Sequence, residues 1–367
     1  MWNVDDPLTR QDQDGLAPPP RPFDRNPPYK RIATEEAWNI PEILRAQVKL
    51  LNSPNAPDDT SLRMAGMFAD RAELQQRLMD IGPARLARMD ELGIDKQLLL
   101  LTAPGVQVLE PAEGTALAQL ANDRLAEACR KHPDRYAGLT VFQPQNVQGA
   151  VAEIERGMTK LGLNGAVINS HFRGHYLDET TYWPILEALE ANDAALYIHP
   201  TIPPKEWSHP YELRGFGGAL AGFSHEVWMH TMGLIFCGAF DRFPGLRLVI
   251  GHMGEGLPLL LYRFDWMQSN ADGVAGLRGG GPAVKLQHKV SYYFKNNIWI
   301  TTSGQGWEPS VKFCMDVLGP ERVLYAMDYP YQQSADEVAA YDAFNISPEH
   351  KKMLMQANAE HVFRLRQ

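Results

Sequence analysis

The stretch RIATEEAW, residues 31–38, closes a short apolar run on two carboxylates, Glu35 and Glu36, with Ala37 directly after them. Other apolar runs end in groups of the same kind. NGAVINSH ends at His171, ALYIHP carries His199, LRLVIGH ends at His252, and VLYAMDYP carries Asp328. A carboxylate directly after VLYAM is unfavourable to bury unless a metal, a cation or a substrate proton meets it. Glu35, His199 and Asp328 together make a two-carboxylate, one-imidazole site for a divalent ion, with positions left for substrate and water. Oxygen-rich ligation favours Mn²⁺ or a similarly hard ion, with Zn²⁺ as the alternative.

Each remaining histidine also has a structural reading. His171 is left open between a site residue and a satisfied core residue. His175 and His209 read as surface residues in loops. His225 and His230 lie five apart in SHEVWMH, which is the wrong spacing for one helical face, and read as packing or pocket-wall residues. His288, His350 and His361 sit in charged helical surroundings and read as solvated. Cys129, Cys237 and Cys314 are few and widely spaced, so they read as buried thiols and not as a disulfide framework or a cysteine zinc site.

The strand ends need a scaffold that brings them together. Eight short apolar runs, at 31–36, 95–104, 136–144, 164–171, 195–200, 246–252, 297–303 and 323–330, alternate with longer amphipathic segments. This is the pattern of repeated βα units, and eight is the number that closes a parallel barrel. Catalytic residues of such a (β/α)8 barrel sit at the C-terminal ends of its strands. Helices are expected over 73–93, 118–132 and 146–162. The long intervals after the first and fifth runs are expected to form the lid and substrate walls. A doubly wound sheet needs a glycine-rich turn after the first strand, and TEEAW is not one.

The bulk properties narrow the partners. The chain has 367 residues, 44% of them hydrophobic, and a formal charge of −9. It can bury a large core, and its charge argues against nucleic acid or an acidic membrane surface as partner. No apolar run approaches the ~18 residues of a membrane span, so the expected location is the cytoplasm. Residues 1–29 are rich in proline and read as an extended N-terminal arm; residues 30–367 form the barrel domain.

The strand ends TEEAW, YIHP, GHMGE and AMDYPYQ, with the stretch GIDKQLLLLTAPGVQ, resemble those of amidohydrolase-superfamily decarboxylases that act on aromatic carboxylates. That group includes the 2,3-dihydroxybenzoate, γ-resorcylate and aminocarboxymuconate-semialdehyde decarboxylases. The likeness is greatest to the 5-carboxyvanillate branch and runs from about residue 31 to the C-terminus. The resemblance implies that Glu35, His199 and Asp328 bind one divalent metal, Mn²⁺, with no organic cofactor. Several family members carry a histidine two places after the ligand glutamate. Ala37 stands there in this chain, and the carboxyvanillate-specific enzymes are similar in lacking that histidine. His252 matches a histidine that assists proton transfer beside the metal, and Asp328 the acid that protonates the ring. Arg263 and Arg71 match arginines that position substrate anions. Apart from the resemblance, substrate preference is expected to depend on loop walls near Phe223, Trp228 and Tyr331. The implied reaction converts 5-carboxyvanillate to vanillate and CO₂ in lignin-derived aromatic catabolism. The implied assembly is a homo-oligomer, dimer or tetramer.

Two other functions share these residues. A metal-dependent hydrolase of a lactone or related ring-fission product would use the same site with Asp328 as base. A binding or assembly protein on a barrel scaffold is the third reading, because fold alone does not fix function.

Overall fold

The computed structural model describes residues 22–269 and 285–365. Its strands are β1 (Ile32–Trp38), β2 (Lys96–Leu101), β3 (Tyr136–Gly138), β4 (Thr140–Val141), β5 (Ala166–Ile168), β6 (Leu196–Ile198), β7 (Leu248–Ile250), β8 (Ile298–Thr301) and β9 (Val323–Leu324). Every strand residue is buried and all pairings are parallel. Such strands are covered on both faces, which is why they read as continuous apolar runs instead of alternating ones.

The ladder is continuous over two stretches, β1–β2–β3 and β4 through β9, with one register shift in β1–β2 between Ala33 and Glu36. Single backbone bonds join these stretches. Leu139, between β3 and β4, donates its N–H to Leu99 O at 2.9 Å, so β3 and β4 are one run with a local break. At the other junction Thr34 N donates to Tyr325 O at 3.0 Å and Ala37 N to Tyr329 O at 2.7 Å. These bonds set β1 beside the continuation of β9 and complete a (β/α)8 barrel. The last strand is shorter than expected: only Val323 and Leu324 pair regularly, and residues 325–330 follow β1 with an irregular register.

Helices α1 (Pro41–Leu51), α2 (Arg63–Ala69), α3 (Ala72–Met79) and α4 (Pro83–Leu92) fill the interval after β1. The single helix expected over 73–93 is two. Asp80 Oδ1 accepts the Gly82 N–H at 2.7 Å and Oδ2 the Arg85 N–H at 3.1 Å, capping a new helix that starts at Pro83. Proline is well suited to that first position and disfavours helix before it. The outer ring continues with α5 (Pro111–Lys131), α6 (Val147–Arg156) and α7 (Trp183–Ala191). Then α8 (Lys205–Glu212), α9 (Gly222–Phe236) and α10 (Ala239–Arg242) fill the interval between β6 and β7, and α11 (Leu261–Ser269) follows β7. His209 therefore lies on a helix and not in a loop, although it is exposed. Phe223 and Trp228 likewise lie on α9 and not in loop walls.

Of the expected arm, residues 1–21 lie outside the described residues. Residues 22–29 lie against the barrel, where Phe23 packs on the core and Tyr29 donates to Asp342 Oδ1 at 2.9 Å. Among the described residues no helix is long and apolar enough to cross a membrane.

Candidate active site

Glu35 lies in the middle of β1, not at its end as expected, His199 directly follows β6 and Asp328 lies four residues past β9; their ligand atoms all lie within 4.8 Å of one another. Their surroundings dictate how each presents itself. Glu35 is buried, and its Oε2 accepts three hydroxyls: Tyr197 at 2.5 Å, Thr301 at 2.8 Å, and Ser303. Its other oxygen, Oε1, is buried without any hydrogen-bond partner. A carboxylate with one oxygen saturated and the other bare is poised to bind a cation, since an unpartnered buried anionic oxygen is strongly unfavourable.

His199 is oriented the same way. Its Nδ1 lies 2.9 Å from the Pro200 carbonyl, which can only accept, so Nδ1 carries the proton and Nε2 keeps its lone pair. That Nε2 lies 3.8 Å from Glu35 Oε1. The gap is too long for a hydrogen bond and suits two atoms bound to one ion at about 2.0–2.2 Å. Asp328 follows β9 in a left-handed backbone conformation, φ 72°. Burial and then the charge of Glu35 push its carboxyl well above the usual range. Burial also opposes ionisation of Glu35, but the His252 and His199 imidazoles with the Ser303 and Tyr197 hydroxyls hold it below its ordinary value. Two carboxylates this close repel, and a divalent cation between them removes the conflict. The residues therefore fit a hard divalent ion.

His252 stands beside this group. Residues 252–256 run through consecutive left-handed conformations, φ between 50° and 79°. For non-glycine residues such backbone is unfavourable by roughly 1–2 kcal/mol each, and it persists where packing over-determines it. The turn aims His252 Nε2 at Glu35 Oε1, 3.7 Å away, while Nδ1 meets Glu255 Oε1 at 2.7 Å. Burial disfavours the imidazolium, yet Glu255 and Glu35 together push it well above its ordinary value. Gly251, just before, must lack a side chain: a Cβ there would lie 2.8 Å from Glu35 Oε2.

An apolar wall adjoins these groups. Ala37 and Ala103 are buried with Phe68, and Ile202, Phe223 and Tyr331 pack against that cluster. Phe68 and Tyr331 stack with centroids 6.0 Å apart, and the Tyr331 hydroxyl bonds Thr102 Oγ1. Arg71 lies half-buried at the start of α3, close enough for its charge to act on the Tyr331 hydroxyl. A cation at a helix N-terminus opposes the helix dipole, so capping alone does not account for it.

Residues 72–365 match the family model described as Amidohydrolase. The chain belongs to the amidohydrolase family. This amidohydrolase is 33% identical over 346 residues to the γ-resorcylate decarboxylase of Rhodococcus jostii (strain RHA1), covering 91% of this chain and 98% of the relative. A solved structure of 5-carboxyvanillate decarboxylase from Novosphingobium aromaticivorans DSM 12444, complexed with manganese and 4-hydroxy-3-methoxy-5-nitrobenzoic acid, superposes with a TM-score of 0.89. It is 42% identical, covering 94% of this chain and 98% of that one. The 5-carboxyvanillate decarboxylase of Sphingomonas paucimobilis gives a TM-score of 0.86 at 39% identity, over 92% of this chain and 99% of that one.

Not every expected residue of this amidohydrolase reaches the site. Arg263 is exposed on α11, beside Tyr262 and Trp266, which are 83% and 49% exposed. His171 is buried and is not part of the Glu35, His199 and Asp328 cluster: its Nδ1 accepts the Gly174 N–H at 3.2 Å, leaving Nε2–H to donate to Ile202 O at 2.8 Å. His230 is a core residue whose Nε2 accepts the Leu177 N–H at 3.3 Å. Trp228 donates to Glu255 O at 2.9 Å and so braces the His252 turn. Four residues that sequence reasoning missed hold the site: Tyr197, Thr301, Ser303 and Glu255. Tyr197 had a signal, because it lies two places before His199 and so shares its face; Thr301 and Ser303 are the hydroxyls that end the run 297–303.

Proposed function

We propose that this chain catalyses the non-oxidative decarboxylation of an ortho-hydroxy aromatic carboxylate, 5-carboxyvanillate to vanillate and CO₂, with one bound Mn²⁺. The observation that carries the proposal is the convergence of Glu35, His199 and Asp328 with the small Ala37 beside them. Ala37 leaves room for an ortho-hydroxy carboxylate where other family members place an imidazole. The supporting relatives are named decarboxylases, and lactone hydrolysis finds no support among them.

Held by Glu35, His199 and Asp328, the metal would supply positive charge that favours binding of the anionic substrate and ionisation of its phenol. The protein does the rest. Tyr197, Thr301 and Ser303 lock Glu35, and Pro200 O locks His199. The apolar wall holds the ring, and Arg71 faces a substrate anion. Asp328, holding a proton taken from the phenol, delivers it to the ring carbon that bears the carboxylate. The C–CO₂ bond then breaks, its electron pair restores the aromatic ring, and CO₂ leaves. His252, gripped by Glu255, directs Nε2–H at the carboxylate and stabilises the charge that develops there. Positioning of this kind contributes ~7–11 kcal/mol to such barriers.

Arg263 contributes to binding only in a homo-oligomer, dimer or tetramer, that seats α11 on another copy. The exposed Leu259, Tyr262 and Trp266 beside it support that reading. Three unpaired cysteines suit a reducing cytoplasm. Proton NMR of Mn²⁺-loaded protein with 5-carboxyvanillate in D₂O tests the proposal. Loss of substrate with deuterium at the vacated ring carbon is expected, and no turnover by metal-loaded protein would sink it.

A further inference from the structure

β1 carries its second carboxylate on the outer face of the barrel. Side chains alternate along a strand, so Glu35 points inward to Tyr197 and Thr301 while Glu36 points into the layer between the sheet and α4. There it is buried with Gln97 and Arg85. Arg85 Nε donates to Gln97 Oε1 at 2.7 Å, and Gln97 Nε2 donates to Glu36 Oε2 at 3.1 Å. Arg85 also donates from Nη1 to Ala37 O at 2.8 Å, and its guanidinium lies over the Tyr329 ring, 4.4 Å from the centroid. The remaining Glu36 oxygen, Oε1, accepts the Met327 N–H at 3.0 Å.

That last bond falls where the barrel is irregular. Between the bonds Thr34 N to Tyr325 O and Ala37 N to Tyr329 O, β1 advances three residues and the opposite segment four. The surplus residue makes a local bulge, a device that re-aims side chains next to active sites. It denies Met327 N–H a ladder partner and places Asp328, the next residue, at φ 72°. An orphaned amide and a left-handed aspartate are both unfavourable unless the surroundings hold them.

We propose that Glu36, Gln97 and Arg85 form a buried clamp that fixes the backbone at Met327–Tyr329 and so aims the Asp328 carboxylate at Glu35 and His199. The three are positioning residues, acting through the backbone. The clamp rests on the reading of Asp328 as metal ligand and proton carrier.

The hydrogen bonds run with one polarity, from arginine through amide to the Glu36 carboxyl, both of whose oxygens accept. Glu36→Gln keeps the shape but breaks that polarity, since however the two amides flip, one N–H meets another donor. In the full-length protein, Mn²⁺ affinity should weaken about 10-fold or more. At saturating Mn²⁺, kcat should fall roughly 10- to 100-fold with KM within about 3-fold. A trio that only stabilises the fold would lower Tm and leave both quantities unchanged in the folded variant, and that result would overturn the proposal. If Glu36→Gln does not fold, Gln97→Met decides in the same way. It leaves Glu36 on Met327 and cuts the link to Arg85, so weaker Mn²⁺ binding and lower kcat support the clamp and wild-type values refute it. Mn²⁺ affinity reads the clamp without turnover, which keeps its failure distinct from failure of the decarboxylase reading.

Discussion

The Tyr197 hydroxyl donates to Glu35 Oε2 at 2.5 Å, from a position on β6 two residues before His199, which directly follows that strand. β6 thus delivers one proposed metal ligand and orients another. Tyr197→Phe removes one of three donors to that oxygen. A hydrogen bond to a charged group is worth ~1.5–3 kcal/mol, and loss of a ligand's orienting partner weakens metal binding ~10- to 100-fold. Titration with Mn²⁺ followed by electron paramagnetic resonance should show that loss; unchanged affinity would assign the tyrosine to packing alone.

Asp328→Asn tests the proton carrier. An amide is not an acid, so turnover should drop by at least the ~10²–10⁴-fold typical of general acid catalysis, with Mn²⁺ partly retained on Glu35 and His199. Near-normal turnover would rule out this role for Asp328.

Ala37→His tests the room left at the end of β1. Ala37 is buried in the apolar wall, and enlarging a packed site typically destabilises by ~1–3 kcal/mol. The new imidazole should raise affinity for Zn²⁺ relative to Mn²⁺ and raise KM for 5-carboxyvanillate. A KM equal to wild type in a folded variant would show that the space at Ala37 is not used by substrate.

In an oligomer that seats α11 on another copy, Arg263→Ala should raise KM more than it lowers kcat, as expected for loss of a group that binds ground and transition states alike. The opposite split would place Arg263 in the chemical step.

Acid stability carries a separate prediction from His230. Burial, and then the His171 imidazole, lower its pKa to about 3, against an ordinary 6.5. The folded state thus keeps this imidazole neutral where the unfolded chain protonates it. Its contribution is fully present above pH 6.5 and is lost as pH falls towards 3, at up to ~1.4 kcal/mol per unit. In denaturant titrations across that window, His230→Gln should lose stability less steeply than wild type. Parallel curves would show that His230 is protonated in the fold.

The barrel and the strand-end groups were legible because both follow from patterns within a few residues. A parallel strand buried on both faces reads as an apolar run, and a carboxylate or imidazole at its end stands out against it. Glu35, His199 and Asp328 could therefore be singled out before any contact was known. The break between α3 and α4 was also written locally, in Asp80, Gly82 and Pro83, but the amphipathic pattern on either side masked it. Arg71 was named from a resemblance, and Arg85 was not singled out, because an arginine on an amphipathic helix looks solvated until the helix is packed on the sheet.

The sequence by itself determined which residues could do chemistry and that eight strands would carry them to one face, since backbone periodicity and side-chain polarity are local properties. Only the tertiary structure decided how they are aimed. It gave Glu35 three hydroxyls on one oxygen and none on the other, turned His252 through a left-handed loop onto Glu255, and set Glu36 behind the sheet under Met327. Those relations join residues up to 291 positions apart. They depend on where the barrel closes and on the bulge beside Asp328, and no short-range pattern encodes either.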